Sequence, residues 1–203
     1  AKTGGCMIFD LSYIINYDWW DYMKRVSLKP LEVSDAGEVY ELCRGTFREE
    51  YHITEERILE SLFEDPDFSA EESKKIVDEK NGRMIGFIGV KVSHNEQLYP
   101  ASAWISIFAV KKEEQGKGYG TMVLNQVCQS LHKNGINKIY VGQDFNNFFS
   151  GIPDPDEGKE IFFKKNGFTL NRDRHFDLEA DITDNRLIDS FDTSSFDKEF
   201  TVA

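Results

Sequence analysis

Basic residues are in short supply in this chain. Lys and Arg number 24 against 36 Asp and Glu, a formal net charge of −12. That argues against a general nucleic-acid binder, which needs basic surface to displace counterions. Cysteine is scarce too: Cys6, Cys43 and Cys128 are odd in number and have no metal or redox spacing. Cys128 falls within a predicted helix and reads as a small buried hydrophobe. No apolar run nears the roughly 20 residues of a membrane-spanning helix. Residues 1–25 lack a basic region followed by a continuous apolar segment, so no secretory signal is visible and the cytoplasm is the expected compartment. Internal repeats and low-complexity blocks are also missing. What is present is globular: 203 residues, 40% hydrophobic and 13% aromatic, enough for one domain with a real core.

Periodicity places the elements. Ala1 to Asp10 reads as a leader, an added remnant or a short strand, and Asp18 to Met23, with its Trp19-Trp20 pair, as an aromatic helical turn packed on the domain. Val26 to Glu32 is a first strand. Ser34 is the expected N-cap of a helix reaching Phe47, with Val39, Leu42, Cys43 and Phe47 on one face. Thr54 caps a second helix, with Ile58, Leu59, Leu62 and Phe63 as its apolar stripe. Lys74–Glu79 and Arg83–Ser93 are strands joined at Asn81-Gly82, the signature of a tight type I′ hairpin. Met84, Gly86, Ile88, Val90 and Val92 alternate with their neighbours. Ala101–Val110 completes an antiparallel meander. A helix over Gly116–Asn134 then precedes a strand, Ile136–Gly142, and the βαβ unit so formed makes its two strands parallel. The loop Gln143–Pro155, a helix over Asp156–Asn166 and one or two strands within Phe168–Asp181 follow, then a polar tail from Ile182.

The organising stretch is Trp104–Leu124, an apolar strand, a charged turn and Gln115-Gly116-Lys117-Gly118-Tyr119-Gly120 at a helix start. Such a turn aims unpaired backbone N–H groups at one point with the helix dipole behind them. Anions bind there, phosphates above all, and glycine lets them approach the backbone. The dinucleotide fingerprint does not fit, because the spacing is G-x-G-x-G. The Walker pattern fails, because no Gly-Lys-Ser/Thr is present. A strand-to-helix turn with no ligand and a phosphate cradle both remain open on glycine content alone.

Gln-x-x-Gly-x-Gly directly after a strand resembles the acyl-CoA-binding motif of the GNAT superfamily of N-acyltransferases. Phe162-Phe163-Lys164-Lys165-Asn166-Gly167-Phe168 resembles that family's late Tyr/Phe-x-Lys-x-Gly-Phe block, and Phe149 to Pro153 resembles an aromatic-Pro-Gly-Val-Pro loop, with Ser150 at the first Pro. The resemblance implies an α/β (α+β) GNAT fold: a mixed sheet of about six to seven strands, an antiparallel meander plus one parallel βαβ pair, flanked by about four helices. Its extent divides the chain into an N-terminal extension (1–25), an acetyltransferase domain (26–181) and a C-terminal tail (182–203).

The implied activity is transfer of the acetyl group of acetyl-CoA to a primary amine of a small molecule, peptide or protein. The alternative is a non-catalytic acyl-CoA sensor of the same fold. No metal, nucleic acid or membrane enters this expectation, and the resemblance leaves room for a homodimer. Backbone groups of Phe108, Ala109 and Val110 would pair with the pantetheine arm. Gln115, Gly116, Lys117, Gly118, Tyr119, Gly120 and Thr121 would take the pyrophosphate. An alkylamine titrates near ~10, so its proton must go somewhere. The Ala101–Val110 strand holds no carboxylate, which leaves Asp144 as the first candidate base, then Glu96 and His94. Phe163 stands where the family often has a Tyr acid, so Tyr140, Tyr99 or water would protonate the thiolate, or CoA leaves as thiolate, a thiol titrating near ~8.5.

Overall fold

In a computed structural model the described residues are 4–9, 25–153 and 157–175. The Trp19-Trp20 turn, residues 176–181 and the tail lie outside them. The strands are β1 (Gly4–Phe9), β2 (Val26–Pro30), β3 (Lys74–Asp78), β4 (Met84–Val92), β5 (Ser102–Val110), β6 (Lys138–Val141), β7 (Ile152–Pro153) and β8 (Phe168–His175). The helices are α1 (Ala36–Thr46), α2 (Glu55–Ile58, continued by a wider π turn over Leu59–Phe63), α3 (Tyr119–Lys133) and α4 (Glu157–Lys165). Strands β2 to β6 form a five-stranded mixed body: β2, β3, β4 and β5 pair antiparallel in sequence order, and β5 pairs parallel with β6. Strand β1 extends it, antiparallel to β6 through Ile8 and Tyr140, to β8 from Phe9–Phe168 to Gly4–His175, and to β7. The described strands total eight against the six to seven expected: Gly4–Phe9, for which the short-strand reading holds, and the two-residue Ile152–Pro153, which falls in the expected Gln143–Pro155 loop, are the additions.

Both faces of the sheet are covered. On one face Val123, Val127 and Leu131 of α3 and Phe163 of α4 pack against Ile76, Ile88, Val90, Ile105 and Ile139. On the other, Val39, Leu42 and Cys43 of α1 and Ile58 and Leu62 of α2 pack against Phe87, Ile107 and Ala109. Burying one such aliphatic side chain contributes about 1.5–3 kcal/mol. Covering explains why the alternation expected in β4 does not separate inside from outside: Met84 through Lys91 are all buried. Burial also pushes the Cys43 and Cys128 thiols upward in pKa, Cys128 to about 12.

Two local expectations need correction. Ser34 is not the cap of α1. A 3₁₀ turn over Val33–Asp35 leads into the helix, and the Asp35 carboxylate accepts from Glu32 N at 2.9 Å while receiving Lys75 Nζ at 2.6 Å. A charged oxygen held by a strand lysine outcompetes a serine hydroxyl. The β3–β4 turn is not type I′ either. Asp78 O accepts from Asn81 N and Gly82 N, and Gly82 takes positive φ without Asn81. The Asp78 carboxylate, accepting from Lys80 N at 2.9 Å, winds the turn right-handed before Gly82 releases it. Thr54 does cap α2, accepting from Arg57 N at 3.1 Å, and Gly135 ends α3 at φ +84°.

The site depends on how β5 and β6 part. Their pairing runs from Ser102–Lys138 to Ile105–Val141, and Gly142 N makes the last bond, to Ile105 O at 2.9 Å. Gly142 then turns away at φ +67°, where a Cβ would sit 2.5 Å from Phe149 O and 2.7 Å from Gly151 N. Replacing Gly142 by Ala is expected to destabilise the protein by about 1–3 kcal/mol, roughly 2–12 °C in melting temperature. Gly45, with nothing within 4 Å of its Cβ and no positive φ, is the control: Gly45→Ala is expected to be neutral or stabilising in the same melts.

Candidate active site

Beyond Ile105, β5 runs on to Val110 paired only with β4 among the described residues, and a cavity of about 720 Å³ opens beside it. Phe108, Ala109 and Val110 form one wall. The turn and the start of α3 form the floor through Gln115, Gly116, Gly118, Tyr119, Gly120 and Thr121. Thr46 and Phe47 at the end of α1 and Gly158, Lys159, Phe162 and Phe163 of α4 close the rest. This volume is in the range of small-molecule sites. Every residue named from the sequence for the donor lines it except Lys117, whose ammonium pairs with Glu114 at 3.0 Å. Glu114 also pairs with Arg25 at 3.3 Å, and the Arg25 guanidinium is held above its usual pKa, chiefly by Tyr119 and then by Glu114.

The turn has the backbone geometry of a helix N-terminus, where anions can bind. Gly116 and Gly118 take φ of +74° and +85°, and Gly118 sits at the N-cap of α3. The first backbone bond at the mouth of the helix runs from Met122 N to Gly118 O at 3.0 Å, leaving the preceding amides outside the helix ladder. Gln115 secures the turn by donating from Nε2 to Val110 O at 2.8 Å. Gly120 plays a different part: a Cβ there would lie an ordinary 3.4–3.5 Å from the rings of Phe162 and Phe108.

A second, smaller cavity of about 50 Å³ lies where β5 and β6 separate, between Ile105, Ser106, Ile107, Val141, Gly142, Phe149, Gly151, Ile152, Phe163 and Lys159. Phe47, Phe108, Lys159 and Phe163 line both cavities, so the two adjoin. Lys159 Nζ lies 5.1 Å from the Phe47 ring centre, and Phe149 packs on Phe47 and Tyr51 at 5.3 Å each. Phe163 contacts Phe108, Phe162 and Phe168, all carbon and no hydroxyl.

The three residues named for proton transfer lie apart from one another. Tyr140 stacks on Trp104 at 6.1 Å. Glu96 is exposed and accepts from Ala101 N at 3.2 Å. Neither lines either cavity. His94 is exposed and paired with Asp67 at 2.8 Å, and Tyr99 packs on Trp104 and Phe145. Asp144 is 3% exposed. Its Oδ1 takes Lys91 Nζ at 2.5 Å and its Oδ2 takes the Ser106 hydroxyl at 2.9 Å. Lys91 and Ser106 were missed from the sequence, for a lysine inside an apolar strand and a serine beside Ile105 and Ile107 carry no local signal. Among the described residues, no group of three or more His, Cys, Asp and Glu is placed to hold a metal ion, and no helix is long and apolar enough to cross a membrane.

Residues 36–150, over half of the chain, match the family described as Acetyltransferase (GNAT) family. No curated protein sequence matches the chain. Solved structures share the fold at low identity. One is the GCN5-related glucosamine N-acetyltransferase region of a fungal multi-domain GH3 β-N-acetylglucosaminidase: TM-score 0.65, 20% identity, 73% of this chain and 17% of that one. Another is the ribosomal-protein-S18-alanine N-acetyltransferase of Escherichia coli: TM-score 0.55, 16% identity, 71% and 77%. A third is Arabidopsis thaliana Naa50 bound to the bisubstrate analogue CoA-Ac-MVNAL: TM-score 0.52, 19% identity, 72% and 85%. The chain belongs to the GNAT acetyltransferase family, whose co-substrate is an acyl-CoA.

The two glycines of the turn should separate in a binding experiment. Gly118→Ala puts a side chain at positive φ on the phosphate side and is expected to weaken CoA binding by about tenfold or more. Gly120→Ala is expected to bind within about threefold of the parent by isothermal titration, because its methyl meets only ordinary contacts.

Proposed function

We propose that this chain is an N-acetyltransferase that moves the acetyl group of acetyl-CoA to a primary amine by direct attack. The observation that carries the reading is the adjoining pair of cavities: a large one floored by the glycine turn and a small one at the parting of β5 and β6. In this reading the amides of the turn from Gly116 to Thr121 hold the pyrophosphate, while the Gln115 N–H donates to Lys112 O at 3.3 Å and braces the turn. The edge of Phe108–Val110 away from β4 pairs with the pantetheine arm as an added strand would. The thioester then lies at the smaller cavity, where a backbone N–H near Phe108 polarises its carbonyl. The apolar walls there, Ile105, Ile107, Val141 and Ile152, and a volume of about 50 Å³ suit a short acyl group, which favours acetyl over longer chains.

The acceptor enters past Phe47, Phe149 and Tyr51 and presents a neutral amine to the carbonyl carbon. CoA leaves as thiolate, since Phe163 has no proton to give. The named acceptors of two structural neighbours, glucosamine and the alanine of ribosomal protein S18, carry primary amines, which fits a small molecule or a peptide amino group. Asp144 connects to this junction through Ser106. Tyr140 and Glu96 take no part, being committed to Trp104 and to Ala101 N. A non-catalytic acyl-CoA sensor is the second reading, favoured by one observation: both Asp144 oxygens already accept hydrogen bonds.

Free-thiol release from acetyl-CoA across spermidine, glucosamine, an aminoglycoside and a short peptide separates the two. An enzyme shows saturable release with at least one amine. A sensor is stabilised by CoA, by about 2.7 kcal/mol at a hundredfold excess over Kd, yet releases no thiol with any of them. If CoA neither binds nor raises the melting temperature, both readings fail.

A further inference from the structure

A lysine with 1% of its side chain exposed is unusual enough to need an account. Lys91 projects from β4 towards α2, and its three ammonium protons have three acceptors: Asp144 Oδ1 at 2.5 Å, Asp65 Oδ2 at 2.9 Å and Asn146 O at 3.2 Å. Asp65 follows α2, with 8% of its side chain exposed, and Asp144, with 2%, begins the loop after β6. The ammonium thus faces two carboxylates, and the buried group carries a formal charge of −1. The neighbouring cations are engaged elsewhere. Arg57 of α2 donates to Asn147 O and Phe148 O, and the His94 imidazole pairs with Asp67, whose backbone N–H donates to Asp65 Oδ1.

One contact leads from this group to the reaction site. Gly89 and Val90 of β4 pair with Ile107 and Ile105 of β5, so Ser106 is an extra residue in a β-bulge. Bulges re-aim side chains and are frequent beside active sites. Ser106 is 2% exposed, lines the smaller cavity and donates to Asp144 Oδ2 at 2.9 Å.

We propose that Ser106 takes the proton of the attacking amine and passes its own hydroxyl proton to Asp144, with Lys91 and Asp65 holding the carboxylate in place. The inference rests on the acyltransferase reading and supplies the base that reading leaves open. The amine lone pair forms the C–N bond and the C–S bond breaks. The amine N–H proton moves to Ser106 Oγ as the Ser106 proton moves to Asp144 Oδ2, and CoA leaves as thiolate. Return of the proton through Ser106 to the thiolate or to water resets the enzyme. The buried group goes from −1 to neutral as it accepts the proton. Lys91 keeps Asp65 as its counter-ion throughout, so no lone charge is left in the interior. Ser106 is the catalytic residue, and Asp144 and Lys91 act through it.

Ser106→Ala removes the hydroxyl and leaves the ion pairs standing. With acetyl-CoA and whichever panel amine reacts fastest, it is expected to lower kcat about 10²-fold. KM for acetyl-CoA should stay within twofold of the parent, and the melting temperature should change little. Ser106→Thr, which keeps the hydroxyl, should recover most of the rate. In a Ser106→Ala, Asp144→Asn cycle the double variant should be no slower than Asp144→Asn alone, since both act on one proton path. A parent-like kcat in Ser106→Ala overturns the proposal, and so does a loss of kcat matched by lost CoA affinity or lost stability. A parent enzyme that releases no thiol with any amine overturns the acyltransferase reading, and the relay with it. An active parent beside an equally active Ser106→Ala overturns the relay alone.

Discussion

The parting of β5 and β6 is the constraint on which the rest of the structure depends. Parallel strands hold together only while both offer backbone groups in register. Gly142 ends that register by taking φ +67°, a conformation open to glycine at no steric cost. With β6 gone, the stretch of β5 from Ser106 to Val110 has β4 as its one strand partner among the described residues, with the Gln115 side chain on Val110 O, and the glycine turn that follows lies at the end of that edge. The large cavity floored by the glycine turn and the small apolar cavity are therefore consequences of one backbone event. The loop packed on Gly142 keeps the gap from closing: Gln143 N donates to Phe149 O at 3.2 Å, and Phe149 and Ile152 wall the smaller cavity.

That loop is held by polar contacts as well as by the apolar burial of Phe148 and Ile152. Lys91 gathers Asp144 and Asn146 O. Arg57 reaches the carbonyls of Asn147 and Phe148, and Asn146 donates to Glu60 O at 3.0 Å. A buried ion pair is a weak source of net stability, because desolvation offsets most of the attraction. Its geometric demands are strict, however, and here they fix where the loop begins relative to β4, β5 and α2. An acidic chain can supply such a position easily, with carboxylates on either side of one interior lysine.

Elements with strong periodicity were legible in the sequence. The meander, the βαβ unit with its parallel pair, α3 with its Gly135 stop and the Thr54 cap all follow from spacing. Turn chemistry was less so. Asp35 displaced Ser34, and Asp78 displaced a two-residue hairpin, because in each case a carboxylate found backbone donors that local pattern does not weigh. The N-terminal strand was one of three readings, since a strand at Gly4–Phe9 is specified by partners more than 130 residues away.

The residues proposed for the donor could be named in order because they are contiguous: a strand edge, a turn and a helix start are local features, and their glycines answer to local backbone angles. Of the residues proposed for proton transfer, Asp144 could be named from the sequence, and Ser106 and Lys91 could not. Ser106 is apolar-strand sequence until a bulge turns it, and Lys91 is an unexplained charge until α2 and the β6 loop close around it. Asp144 looked like a free loop carboxylate and is an interior one. Such groups draw their chemistry from neighbours 26 to 55 positions away, and only folding puts those neighbours within hydrogen-bond reach.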